Sequence, residues 1–323
     1  MMKVLVLGGT GYIGSHLVAR LAQTGWATPV GTSRRSGIDT TDLVSMTRAL
    51  RGMDAVVNCV AGSANAISHG ARVLVDAAGR AGNPRIVHLS TMSVYGALEG
   101  EVTEASPRDP SLGWYAKAKC EAEDTIADYE GGAVMLRPGC VWGPGSDLWV
   151  GRIGRLLGAR RLGDLGAAGD GWSNLVSVDD VCEAAIASLR ITATPSMPRV
   201  FNLAAPDSPR WNEYFVDLAL AIGATPVPRL SRRRLALDAK LLGPPLKIAE
   251  LLLKKAKRAT HSLPDAIPPG LPGVFERHLH LRGELAQDEL GLAYTPYERV
   301  LQEAAAWFNT THARSAALDP VGA

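Results

Sequence analysis

The chain has 323 residues, 46 % of them hydrophobic and 20 % charged, with 34 basic against 32 acidic side chains and a formal net charge of +2. That length holds one large domain or two smaller ones, and the charge balance gives no general pull toward nucleic acid. No stretch reaches the roughly 18 uninterrupted apolar residues of a membrane span. The cysteines, Cys59, Cys120, Cys140 and Cys182, have no CxxC or His-flanked spacing, so no metal is expected and the thiols read as reduced and buried, as in a cytoplasmic protein.

The opening "MMKVLVLGGTGYIG" predicts a first strand over 3–8 rather than a signal peptide, because glycines interrupt the apolar run and no small-residue cleavage site follows. Gly8, Gly11 and Gly14 are spaced GxxGxxG, and Gly9, Gly11 and Gly14 also satisfy GxGxxG. The turn leaves a strand and opens a helix, the context in which glycines let a pyrophosphate approach the backbone. The helix start at Tyr12 and Ile13 then offers unpaired N–H groups and the positive end of a dipole.

A second strand is expected over 27–32, with Pro29 a misfit if that strand is interior. It runs into "GTSRRSG". A carboxylate there would bind a ribose 2′-hydroxyl and select NAD; Ser33, Arg34 and Arg35 stand there instead, and a guanidinium pairs bidentately with a 2′-phosphate. NADP is therefore favoured, with NAD possible. Asp39 and Thr40 lie on the approach to the third strand, where the adenine would sit. Apolar runs at 54–60, 85–91 and 133–138 read as strands covered on both faces, separated by helical patterns such as 66–82. This alternation predicts an α/β fold, a Rossmann-like doubly wound parallel sheet.

"LSTMSVYG" (89–96) follows the fourth strand. In "GWYAKAKCEAE" (113–123), Tyr115 precedes Lys119 by four residues, which puts both on one helical face. Alone, that spacing is ordinary. "LRPGCVWGPG" (136–145) follows the fifth strand, and "NLVSVDDV" (174–181) comes next, where Asp179 and Asp180 read as first-turn carboxylates rather than a catalytic pair. A strand at 199–204 and helices near 179–190 and 211–223 follow. Residues 233–258 predict a long helix or two, with a stripe of Leu242, Leu246, Ala249 and Leu253 ending in "KKAKR". A basic amphipathic helix can lie on a membrane surface; the stripe is read here as core packing. The expected layout is a nucleotide-binding region over 1–170, a smaller C-terminal substrate-binding lobe over 171–310 whose elements return to the first region, and a disordered tail over 311–323.

The glycine turn, "STMSVYG", "YAKAK", "RPGCVWGPG" and "VDDV" in this order resemble the extended short-chain dehydrogenase/reductase family of the epimerase/dehydratase kind, over residues 2 to 310. The resemblance implies that Tyr115 is the general acid/base and Lys119 the residue that lowers its pKa and holds the nicotinamide ribose. The physics agrees: a phenol with pKa about 10 is a poor base until a cation favours its phenolate. It also implies Thr91 as donor to the substrate oxygen, with Ser90 and Ser93 as competing assignments. Ala61, Gly62, Ser90, Pro138, Cys140 and Val141 would join the cofactor contacts, and a homodimer would be the assembly.

Met92, Ser93, Trp114 and Trp142 are expected to face the substrate, and Met and Trp suit a partly apolar small molecule. Trp149 and Trp172 could belong to the pocket or to the core. Dehydratases of this kind carry Asp–Glu where this chain has Met92 and Ser93, and nucleotide-sugar enzymes commonly carry Asn where it has Cys140. They also commonly place a diphosphate-binding Arg before the "VDDV" element, and Arg152, Arg155, Arg160 and Arg161 are the substitutes on offer. The sequence thus favours NAD(P)-dependent interconversion of a ketone and a secondary alcohol. A nucleotide-sugar epimerase or dehydratase is the first alternative and a noncatalytic NADP sensor the second.

Overall fold

In the computed structural model, residues 1–32, 37–192, 194–255 and 264–317 are described. Two compact units emerge: one from Met1–Val141, Val176–Pro206 and His280–Thr295, the other from Trp142–Leu175, Asp207–Leu279 and Pro296–Ala323. The division comes after Val141 rather than near 170, and the first unit recovers two later segments. The last helix runs over Tyr297–Ala317, beyond the point at 310 where the sequence suggests that order ends.

The first unit is built on six parallel strands: β1 (Met2–Leu7), β2 (Ala27–Thr32), β3 (Ala55–Asn58), β4 (Arg85–Leu89), β5 (Ala133–Pro138) and β6 (Arg199–Leu203). Their order is β2-β1-β3-β4-β5-β6. Successive side chains of a strand alternate between faces, and the core divides accordingly. Val4, Val6, Val57, Val87 and Val134 meet Leu17 and Leu21 of helix α1 (Tyr12–Gln23) and Val181 and Cys182 of helix Val178–Ser188. Leu5, Leu7, Val56, Ile86 and Met135 meet α2 (Leu43–Leu50), α3 (Gly70–Arg80) and α4 (Trp114–Ala127) on the other face. Each such buried aliphatic contributes roughly 1.5–3 kcal/mol. Pro29 is no misfit: it pairs with Val4 from the outermost strand, where a missing N–H breaks no ladder bond.

One charged cluster interrupts the second core face. Arg137 of β5 donates from Nε and Nη2 to both carboxylate oxygens of Glu123 on α4, at 2.9 and 2.6 Å, and from Nη1 to the Tyr95 hydroxyl at 2.8 Å. Tyr95 donates to Asn202 Oδ1 of β6 at 2.6 Å. Arg108 and Ser90 also donate to Glu123. Arg137 and Glu123 are 5 % and 1 % exposed, so this pair is stable only because nearly every polar atom in it has a partner.

In the second unit an aromatic core forms around Trp211, whose ring lies 5.2 Å from Trp149, 5.7 Å from Phe215 and 5.0 Å from Phe275. Residues 232–255 are helical, with a π-helical stretch at Asp238–Leu242 between Arg232–Leu237 and Gly243–Lys255. The stripe read as core is not buried: Leu242 is exposed, and Leu246, Ala249 and Leu253 are half-buried.

Removing one partner of a buried, satisfied ion pair strands the other charge at a cost of about 3–5 kcal/mol, whereas removing both often costs less. Arg137→Met should therefore lose about 3 kcal/mol in urea unfolding, and Arg137→Met with Glu123→Leu should recover part of that loss.

Candidate active site

The glycine turn, Ala61 and Gly62, and Ser90–Ser93 follow the carboxyl ends of β1, β3 and β4, and the strand order reverses between β1 and β3, the kind of place where α/β sheets bind ligands. After β1 the chain turns through Gly8, whose φ is +76°, a conformation that strains any other L-residue. Gly14 is required for a different reason: a Cβ there would lie 2.2 Å from the Gly8 carbonyl oxygen. The Gly11 N–H closes the turn onto Gly8 O at 2.9 Å, and Gly11 caps α1 without a side chain. By contrast, Asp42 caps α2 through the Ser45 N–H, and Ser177 caps the Val178–Ser188 helix. Tyr12 and Ile13, both half-buried, begin α1. A tight glycine turn entering a helix whose cap has no side-chain acceptor fits a diphosphate.

α4 starts after Gly113, which takes φ +105°. Its buried face carries Ala118, Ala122 and Ile126 against the sheet, and with them Lys119 and Glu123. Lys119 is 2 % exposed. Its ammonium donates to the carbonyl of Leu89 at 2.6 Å and reaches that of Val60 at 3.5 Å, so it ties the ends of β4 and β3. Burial lowers its pKa from 10.5 to about 8, with the charges of Cys59 and Glu123 opposing the fall. The Cys59 thiol is pushed up by burial to about 12, which makes it a poor nucleophile. His88, 1 % exposed and 3.1 Å from the Asn58 amide, is kept neutral by burial and by the Lys119 charge.

One turn before Lys119 is Tyr115, half-buried, with Thr91 near enough to act on the pKa of its phenol. That pKa is raised, first by burial, with Thr91 opposing. The expected lowering by Lys119 is therefore not the net effect in the protein alone, where burial dominates. Thr91 also holds its own loop, accepting from the Ser93 N–H at 3.2 Å and donating to the Ser93 hydroxyl at 3.2 Å. Met92 and Ser93 are half-buried beside it. Trp114 is 58 % exposed, its ring edge-on to Tyr115 at 5.7 Å.

The Ser90 hydroxyl donates to Glu123 at 2.5 Å, beneath the loop. Trp142 is 2 % exposed, stacked on Tyr297 at 5.4 Å and edge-on to Tyr214. Trp149 rests on Trp211 in the same core, and Trp172 lies under the Arg210 guanidinium. Asp39 accepts from the Thr41 N–H and hydroxyl in the loop that also carries the half-buried Thr40. Ala61 and Gly62 are exposed after β3; Pro138 and Cys140 are buried and Val141 half-buried after β5. Ser33, Arg34 and Arg35 lie outside the described residues.

Asp180 has a structural role, accepting from the Thr295 N–H and hydroxyl, while Asp179 pairs with Arg20 at 2.8 Å. Arg155 is held by Asp265 and Asp147, and Arg161 by Asp238. Among the described residues no cluster of three metal-ligating side chains occurs.

Sequence reasoning missed Glu123, Arg137 and Tyr95. Two signals were available: Glu123 repeats the four-residue spacing of Tyr115 and Lys119, and Arg137 interrupts an apolar strand.

The chain resembles solved structures along nearly its whole length. UDP-glucuronic acid 4-epimerase from Bacillus cereus, in complex with UDP-glucuronic acid and NAD, superposes with a TM-score of 0.68 at 17 % identity, covering 96 % of this chain and 100 % of that one. A double mutant of the dTDP-glucose 4,6-dehydratase DesIV from Streptomyces venezuelae, with NAD and DAU bound, gives 0.70 at 21 % over 97 % and 98 %. Among characterised sequences, Protein YeeZ of Escherichia coli (strain K12) is 25 % identical over 248 residues, 70 % of this chain and 86 % of that protein. Ceramide reductase of Caulobacter vibrioides is 29 % identical over 164 residues, 44 % of this chain and 47 % of its own. The sequence profile of the NAD dependent epimerase/dehydratase family matches residues 4–204, which hold the glycine turn, Thr91, Tyr115 and Lys119. With that match across more than half its length, the chain belongs to the NAD dependent epimerase/dehydratase family.

Proposed function

We propose that the protein moves hydride to or from the carbon of a secondary alcohol or ketone, with Tyr115 exchanging the proton of the attached oxygen. The observation that carries this is the placing of a half-buried Tyr115, whose phenol Thr91 influences, one helical turn from a buried Lys119. When bound, NAD(P) supplies the hydride acceptor or donor. In the oxidative direction Tyr115, as phenolate, takes the alcohol proton as the carbonyl forms; in reduction it returns the proton. Thr91 donates to the same oxygen and fixes its angle. Lys119 holds a positive charge near the ribose and the phenol, and the oxidised nicotinamide adds the second cation that Tyr115 needs to ionise.

For the substrate we favour a nucleotide sugar, acted on by an epimerase or dehydratase type of reaction. The fold match to the UDP-glucuronic acid and dTDP-glucose enzymes over nearly the whole chain supports it. Simple reduction of a ketone is the second reading. It is favoured by Met92 and Ser93 at the positions where dehydratases of this kind carry Asp–Glu, and by similarity to ceramide reductase and to the dTDP-4-dehydrorhamnose reductase of Mycobacterium tuberculosis, 28 % identical over 201 residues. NADP is favoured over NAD on Arg34 and Arg35 alone, and a cytoplasmic homodimer is the setting we infer.

Tyr115→Phe should lower turnover by about 10²–10⁴ while NAD(P)H binding, followed by fluorescence, stays near normal; unchanged turnover would remove Tyr115 from the proton step. Mass spectrometry of small molecules released from the purified protein should find NADP(H) together with a sugar nucleotide. A released cofactor that is NAD(H) throughout would overturn the choice of NADP, and turnover of simple ketones with no response to sugar nucleotides would overturn the substrate class. The buried Lys119 also sets a pH dependence. Between about pH 8 and 10.5 the unfolded chain holds a proton that the folded one has lost, so stability rises with pH across that window. Relative to Lys119→Met, the wild type should gain on the order of 3 kcal/mol between pH 7 and 10.5 in denaturant unfolding.

A further inference from the structure

The helical run 232–255 is apolar on two sides. On the inner side Leu235 and Ala239, four residues apart, are buried, and Gly243 continues their line. A Cβ at Gly243 would lie 2.8 Å from the Ile267 carbonyl oxygen, so this side is seated closely. The outer side carries Leu237, Leu241, Leu242, Ile248 and Leu252, each between 51 % and 66 % exposed. Leu237 and Leu241, and again Ile248 and Leu252, stand at i, i+4 and so share a face. Scattered exposed aliphatics are normal, but five along one helical run mark a contact surface.

The charge around this face is as uneven as its hydropathy. Residues 229–255 carry eight basic and two acidic side chains, while the whole chain has 34 and 32, so the remainder is net acidic; Arg229 and Arg232 are paired with Asp164 and Glu276. One of the two acids, Asp238, is already paired with Arg161. Arg233, Arg234 and Lys240 are exposed on the same run.

We propose that this face docks on the surface of an anionic phospholipid bilayer, with the aliphatic side chains entering the headgroup boundary and the Arg and Lys side chains meeting lipid phosphates. This is how an amphipathic basic helix lies in an interface. No helix among the described residues is long and apolar enough to cross a membrane, so the contact is peripheral. The other occupants fit less well. Two copies of the same strongly basic face repel each other, and a single-stranded nucleic acid site would interleave its cations with aromatic rings, whereas this run has leucine and isoleucine.

The test is flotation of the full-length protein with vesicles of phosphatidylcholine alone and of phosphatidylcholine with phosphatidylglycerol. The wild type should float with the anionic vesicles at least about tenfold more than with the neutral ones, and raised salt should release it. Leu241→Glu combined with Ile248→Glu and Leu252→Glu should abolish flotation with an unchanged circular dichroism spectrum. Arg233→Glu with Lys240→Glu, which leaves the aliphatic face intact, should weaken it on anionic vesicles. Absence of wild-type flotation, equal flotation on both vesicle types, or unaltered flotation of both variants would overturn the proposal. So would a wild type that does not float but is a dimer which the Leu241, Ile248 and Leu252 variant dissociates, since the face would then belong to a second copy.

Discussion

Burying the Lys119 ammonium is the constraint around which the first unit is arranged. A charge this deep is tolerated only if its donors are met, and the partners here are the backbone carbonyls of Leu89 and Val60. Those carbonyls sit at the last residue of β4 and two residues past β3, so this side chain fixes the start of the loops that leave both strands. The cost appears as a pKa near 8 instead of 10.5. One turn on, Glu123 is locked bidentately by Arg137, which sets the rotation of α4 against the sheet. One turn back, that rotation brings Tyr115 to Thr91.

The sheet supplies the other fixed point. With β2 at its edge and β1 next to β3, the order reverses between β1 and β3, and the glycine turn packs there: a Cβ on Gly8 would lie 3.1 Å from the Cys59 carbonyl oxygen. The glycine turn, the loop after β3 and the Lys119 clasp thus all lie at the carboxyl ends of the strands.

The second unit has a different kind of core, aromatic rather than aliphatic, centred on Trp211. Trp142 belongs to that core, and the arginines read as substitutes for a diphosphate ligand are in part committed to carboxylates. Substrate recognition thus has fewer sequence-visible candidates than its many Trp and Arg residues suggest. Trp114 is exposed and stands beside Tyr115.

Local pattern determined much of this protein by itself. The strands at 27–32 and 133–138 were legible to the residue, the second because a strand buried on both faces is apolar at nearly every position. The glycine turn was legible because its backbone geometry excludes side chains, and the Tyr115–Lys119 pair because helical spacing is fixed by the 3.6-residue repeat. Tertiary structure decided what pattern cannot carry. Strand order made Pro29 an edge residue. Packing turned Trp142 inward, directed the Ser90 hydroxyl to Glu123, and gave the 232–255 helix an outer apolar face as well as an inner one. A tryptophan, a serine or a leucine is compatible with either environment, so its place depends on neighbours that the fold brings from far along the chain.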